Sequence, residues 1–100
     1  MDHEYIEQFA ISHVNQLVID EDTIEIYFKI DDLPYCLEVS RIKGTFRPRF
    51  VYHDAYFTCP ICGLKLANTR CSPLDLKEVA LFQRLIKFPA IRMEWLFIEH

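Results

Sequence analysis

Glycine is nearly absent from this chain, with two among 100 residues. That scarcity excludes a glycine-rich phosphate loop, whose backbone N–H groups need several neighbouring positions free of side chains. Long apolar runs are missing too. The longest hold four residues, as in Trp95-Leu96-Phe97-Ile98, so no segment is predicted to span a membrane. Met1-Asp2-His3-Glu4 opens on acids with no apolar segment behind it, which reads as a cytoplasmic protein without a secretory leader. Basic residues are scarce in the first forty positions, where ten acids face Lys29 alone. Residues 41–100 reverse the balance, with ten basic residues against five acids. The net charge of −4 argues against a general polyanion binder. The two halves are expected to neutralise each other across one fold. Catalytic signatures such as His-Glu-x-x-His and Gly-x-Ser-x-Gly do not occur. The acids of Asp20-Glu21-Asp22 and Asp31-Asp32 fall where turns are expected, solvated rather than paired for proton transfer. The chain is read as non-catalytic.

What remains is rich in hydrophobic residues, at 51%, which excludes a disordered composition and gives enough apolar surface for one domain over residues 1–100. Ile24, Ile26, Phe28 and Ile30 alternate with Glu25, Tyr27 and Lys29, the period-two pattern of a half-buried strand. Asp31-Asp32-Leu33-Pro34 supplies turn chemistry, and Tyr35, Leu37 and Val39 then alternate with Cys36, Glu38 and Ser40. Pairing Ile30 with Tyr35, Phe28 with Leu37 and Ile26 with Val39 makes one face wholly apolar. A further strand is predicted from Phe9 to Asp20, and another from Thr45 to Phe57, where Pro48 marks an edge strand, bulge or break. Ser72 as N-cap, Pro73 at the first helical position and Asp75 in the capping-box position start a helix over about 73–88, and Pro89 stops it. A final strand is predicted from Ile91 to Glu99. The expected class is α+β: a small, mainly antiparallel sheet of about 4–6 strands, one C-terminal helix and a last strand.

Four cysteines in a reducing compartment read as metal ligands or redox groups before disulfides. Cys59-Pro60-Ile61-Cys62-Gly63 carries the sharpest signal. Two residues between thiolates let one turn bring both sulfurs to a single ion, at about 2.3 Å each. A glycine behind the second cysteine permits the positive φ that aims backbone N–H groups at the sulfurs. With Phe57 and Thr58 leading in, the motif resembles the knuckles of zinc ribbons and related small zinc domains, which implies bound zinc. A ribbon would bring a second Cys-x-x-Cys; here only Cys71 follows, and Leu74 stands where its partner would be. Cys71 is taken as the third ligand, against a reading as a small residue beneath the helix start. For the fourth, Cys36 is favoured because it lies on the less apolar face of its strand, beside Glu38 and Ser40. His53 is the alternative: six extended residues would separate it from Cys59 by about 20 Å, so it requires a turn near Asp54. His13, His100 and water stand behind these two. Cys-Pro-x-Cys is also similar to the dithiol of glutaredoxins and thioredoxin-like proteins, but those place it after the first strand, at the start of a long helix.

The stretch 41–52 holds Arg41, Lys43, Arg47 and Arg49, with Phe46, Phe50 and Tyr52 interleaved and no acid. Basic groups meet phosphates while aromatic faces stack on unpaired bases, so this is the candidate nucleic-acid or partner-binding segment. Against it stands the simpler reading of the aromatics as core and the arginines as partners of the acidic half. The leading expectation is a small acidic zinc-stabilised interaction module, an adaptor, regulator or inhibitor acting through protein–protein contacts. A nucleic-acid-binding zinc domain is the first alternative and a thiol–disulfide redox protein the second. An exposed edge at Thr45 to Tyr52 would also allow a homodimer by sheet extension.

Overall fold

The alternating segments pair as four antiparallel strands: β1 (Ile11–Asp20), β2 (Thr23–Ile30), β3 (Leu33–Ile42) and β4 (Thr45–His53), in the order β1-β2-β3-β4. Two short helices follow, α1 (Ser72–Asp75) and α2 (Glu78–Leu85). The computed structural model describes residues 6–63 and 69–91. The final strand expected over Ile91–Glu99 lies outside these, apart from Ile91. Among the described residues, no helix is long and apolar enough to cross a membrane.

The β2–β3 hairpin is tighter than its sequence suggests. Its turn consumes only Asp31 and Asp32, with φ of 51° and 67°, the paired positive values of a two-residue turn whose twist matches the strands. Ile30 therefore faces Leu33, Phe28 faces Tyr35, Ile26 faces Leu37 and Ile24 faces Val39. This replaces the expected register, in which Ile30 met Tyr35. The offset is two residues, and an even offset preserves side-chain parity, so the same residues still point inward. All eight of these residues but Leu33 are buried. Lys43 and Gly44, with φ of 51° and 78°, make a second turn of the same kind between β3 and β4.

On β4, Phe50 pairs with Glu38 but Pro48 pairs with Val39, leaving Arg49 as the extra residue of a bulge. Pro48 thus sits beside an irregularity of a terminal strand, where a missing N–H costs least. The far edge of β4 is not wholly open. Arg70 bridges to Tyr52, the His53 N–H donates to the Thr69 carbonyl at 2.9 Å, and the Cys71 N–H donates to Val51 at 2.8 Å. Segment 69–71 therefore covers the end of the edge that would have allowed pairing with a second copy.

The single helix expected over 73–88 is two helices. Cys71, not Ser72, is the cap residue, and no side chain caps α1. Asp75 is committed to the sheet: its carboxylate accepts the Val51 N–H at 2.6 Å and pairs with Arg70 at 2.7 Å. That fixes α1 against β4. Lys77, at φ −111° and ψ 18°, then re-aims the chain so that Leu81 and Leu85 of α2 reach the core alongside Leu74 of α1. The core so formed lies on one face of the sheet, and the sulfurs of Cys59 and Cys71 belong to it.

Candidate metal centre

Cys59, Cys62 and Cys71 do converge, and the fourth member of their cluster is His53. Their donor atoms all lie within 4.8 Å of one another. Register explains the histidine. His53 is the last residue of β4 and stands opposite Tyr35, so it shares the core face with Tyr35, Leu37 and Val51. Bends over residues 54–57 then fold the chain back, which shortens the path to Cys59 that an extended strand would make too long. Cys36 is opposite Tyr52 on the other face. Alternation along β3 places the thiol of Cys36, the favoured fourth ligand, across the sheet from the other three, so it is not a member of this cluster, whereas His53, the alternative, is.

The knuckle is one compact turn. The Gly63 N–H donates to the Cys59 carbonyl at 2.8 Å, and Gly63 takes φ +79°. Cys71 arrives from the other side, its backbone paired to Val51 and its carbonyl accepting the first helical N–H, from Asp75. Cys59 and Cys71 are fully buried, His53 is 1% exposed, and Cys62 alone reaches the surface.

Hydrogen bonds set the chemistry of each donor. The His53 Nδ1 lies 2.7 Å from the Thr69 carbonyl oxygen. A carbonyl has no proton to give, so Nδ1 carries the hydrogen and Nε2 holds the free lone pair. That Nε2 faces the Cys62 Sγ at 3.3 Å. Phe57 packs edge-on against His53 and against Tyr35, at 5.6 Å and 5.5 Å between ring centroids, and holds the imidazole plane. The Tyr35 hydroxyl and the Cys59 Sγ share a hydrogen bond at 3.1 Å, in which the hydroxyl is the donor whenever the sulfur is ionised. Burial works against ionisation of Cys59, but hydrogen bonds from Tyr35, the backbone of Cys62 and Ile61, and His53 outweigh it and lower its pKa. Burial and the neighbouring Cys59 and Cys62 sulfurs push the Cys71 thiol upward despite a bond from the Leu74 backbone.

The spacings suit a tetrahedral ion. Metal–sulfur bonds of about 2.3 Å and metal–nitrogen bonds of about 2.0 Å imply edges of about 3.7 Å between sulfurs and about 3.5 Å from sulfur to nitrogen. Cys59 and Cys71 stand 3.9 Å apart, and Cys62 and His53 3.3 Å. Those two of the six donor pairs approach the tetrahedral edges, all six lie within 4.8 Å, and the cluster is able to hold a metal ion.

The remaining sequence candidates disperse. Cys36 is 4% exposed and lines a cavity with Glu25, Glu38, Tyr27 and Tyr52, and burial followed by the charges of Glu25 and Asp54 pushes its thiol up to about 12. Phe46 packs against the core, while Phe50 and Tyr52 occupy the opposite face. The basic–aromatic stretch is thereby divided between two surfaces. Lys43, Arg47 and Arg49 are exposed and Arg41 half-buried. Arg49 lies over the Phe50 ring at 5.1 Å, and Arg70, which the sequence did not single out, covers it more closely at 4.2 Å. His13 is exposed in a bulge of β1, and His3 and His100 lie outside the described residues. Tyr35, Thr69 and Asp75 support the site yet went unrecognised as such, because each acts through a pairing visible only once β3, β4 and the 69–71 segment are in register. Compared with family models, curated proteins and solved structures, the chain finds no match.

Proposed function

We propose that His53, Cys59, Cys62 and Cys71 bind zinc as a closed structural site, and that the domain it staples is a non-catalytic protein-interaction module. The observation that carries the metal reading is the His53 tautomer: a buried imidazole whose Nδ1–H is spent on Thr69, presenting its bare Nε2 to three converging cysteines. Sulfur-rich donors favour zinc over magnesium or calcium, which take oxygen ligands. Four protein donors leave no open position for an activated water, which supports a structural role. A reduced, cytosolic setting fits thiols used this way.

The interaction reading rests on the sheet face away from the core. It presents Tyr27, Phe50, Tyr52 and Arg70, aromatic and arginine side chains of the kind enriched at binding sites, beside Glu25 and Glu38. The carboxylates beside those rings, and the arginines already stacked on Phe50, favour a protein over a polyanionic strand.

Elemental analysis of protein purified without chelator tests the site. One zinc per chain is expected, kept by Cys36→Ser and lost by His53→Ala. Zinc that follows Cys36 instead, or no metal in the unaltered chain, would overturn it. For the interaction face, Tyr27→Ala with Phe50→Ala should abolish partner capture while zinc is retained.

A further inference from the structure

We propose that Cys62 is an oxidative modification site through which a peroxide-class oxidant opens the metal centre, ending in a Cys59–Cys62 disulfide and an expelled metal ion. This rests on the metal reading above. Three of the four donors are sealed: Cys59 and Cys71 have no exposed surface and His53 has 1%. Cys62 is the one sulfur an oxidant in solution reaches directly. A site buried on every side would resist oxidation as a unit, and one exposed on every side would react without order. This cluster has a single door.

The partner sulfur is fixed by the turn. The Gly63 N–H to Cys59 carbonyl bond closes residues 59–63 into one tight loop, and the two sulfurs share a cluster whose donors are all within 4.8 Å. Two residues between the cysteines keep both thiols on that one turn, so joining their sulfurs needs a change within the loop and none in the sheet. Cys71 is anchored differently, by its N–H to Val51 and by the start of α1. Drawing it toward Cys62 would pull on the β4 edge.

The chemistry balances. The Cys62 thiolate attacks one peroxide oxygen, the O–O bond breaks, and hydroxide leaves, giving a sulfenic acid. The Cys59 thiolate then attacks that sulfur, the S–O bond breaks, and a second hydroxide departs. Two thiolates have lost two electrons, and hydrogen peroxide has been reduced to two hydroxides, which become water on taking up two protons. The ion, left with Cys71 and His53, dissociates. Cys36 takes no part, since it lies across the sheet and is 4% exposed.

The test titrates zinc-loaded protein with hydrogen peroxide in the presence of a chromogenic zinc chelator and maps the cysteines by mass spectrometry. Zinc content is measured beforehand, so absence of metal, which would sink the metal reading, is told apart from failure of this one. Zinc release in step with the loss of two thiols, mapped as a Cys59–Cys62 disulfide and reversed by dithiothreitol with added zinc, is expected. Cys36→Ser, which leaves the cluster intact, should release zinc at the same rate. In the unaltered chain, Cys62 should be modified about 10-fold faster than Cys36. A Cys59–Cys71 or Cys36-containing disulfide, an irreversible sulfinic acid at Cys62, or zinc retained in excess peroxide would each overturn the proposal. If the purified chain carries no metal, the same Cys59–Cys62 mapping on the metal-free protein still decides whether Cys62 is the entry point.

Discussion

The proton on the His53 Nδ1 is a small detail with large consequences, because it leaves the ring's other nitrogen, Nε2, with a free lone pair facing the Cys62 sulfur. Tyr35 acts in the same way from the other side, holding the Cys59 sulfur through its hydroxyl. Such supporting bonds orient ligands and tune their basicity, and removing one typically costs 10- to 100-fold in metal affinity, here about as much for Tyr35→Phe. Competition against a chelator of known affinity measures this, and an unchanged zinc affinity would show that the phenol is only packing. At this scale the sequence was legible for chemistry and less so for place. Cys-x-x-Cys with its glycine announces a turn aimed at one ion. Cys36 and His53 were both reasonable fourth donors, and they differ only in which face of the sheet they point from. Strand parity settles that, and parity becomes decisive only when β4 is registered against β3 at Tyr35 and His53.

Each strand element was readable because apolar and polar residues alternate cleanly in β2 and β3, and a parity pattern survives errors in turn length. The turn itself was not. Asp-Asp followed by Leu-Pro offers both a four-residue and a two-residue solution, and the choice depends on whether aspartates accept positive φ. They do here, at 51° and 67°, so Leu33 begins the next strand and Pro34 lies within it, opposite Lys29, instead of closing the turn. A left-handed residue with a side chain carries a cost that glycine does not. Asp32→Gly should therefore stabilise the domain by up to about 1 kcal/mol, read as a higher urea midpoint at unchanged slope. A lower midpoint would mean that the side chain, not the turn geometry, holds the hairpin. The helix was misjudged for a related reason. Hydrophobic spacing from Leu74 to Phe88 permits one continuous helix, and nothing local reveals that Asp75 is drawn to the Val51 N–H or that the axis turns at Lys77.

For the molecule as a whole, the cluster adds a junction between three parts: the end of β4, the knuckle, and the segment leading into α1. The β1–β3 sheet has its own apolar face, but Cys59 and Cys71 lie inside the same core, so metal binding at the proposed site would be coupled to packing of the knuckle and of the segment leading into α1. A ligand bound only by the folded state adds about 4 kcal/mol when its free concentration is a thousandfold above Kd. For a domain of this size, that corresponds to a rise in melting temperature of roughly 15–30 °C. Stripping the metal with chelator should lower the melting point by a comparable amount. It should also speed hydrogen exchange at the His53 and Cys71 amides, whose partners are Thr69 and Val51, while the β2–β3 amides stay protected. Acid should act in the same direction. In the proposed site thiolates and a bare imidazole would bind the ion, so protons would compete for three sulfurs and one nitrogen, and the metal's contribution is expected near neutral pH and lost as pH falls. The gap between melting curves with and without chelator should accordingly close on acidification, because both samples become metal-free. Identical curves at neutral pH would show that the core stands without the ion. A gap that widened in acid would place the stabilising metal somewhere other than this cluster of thiolates.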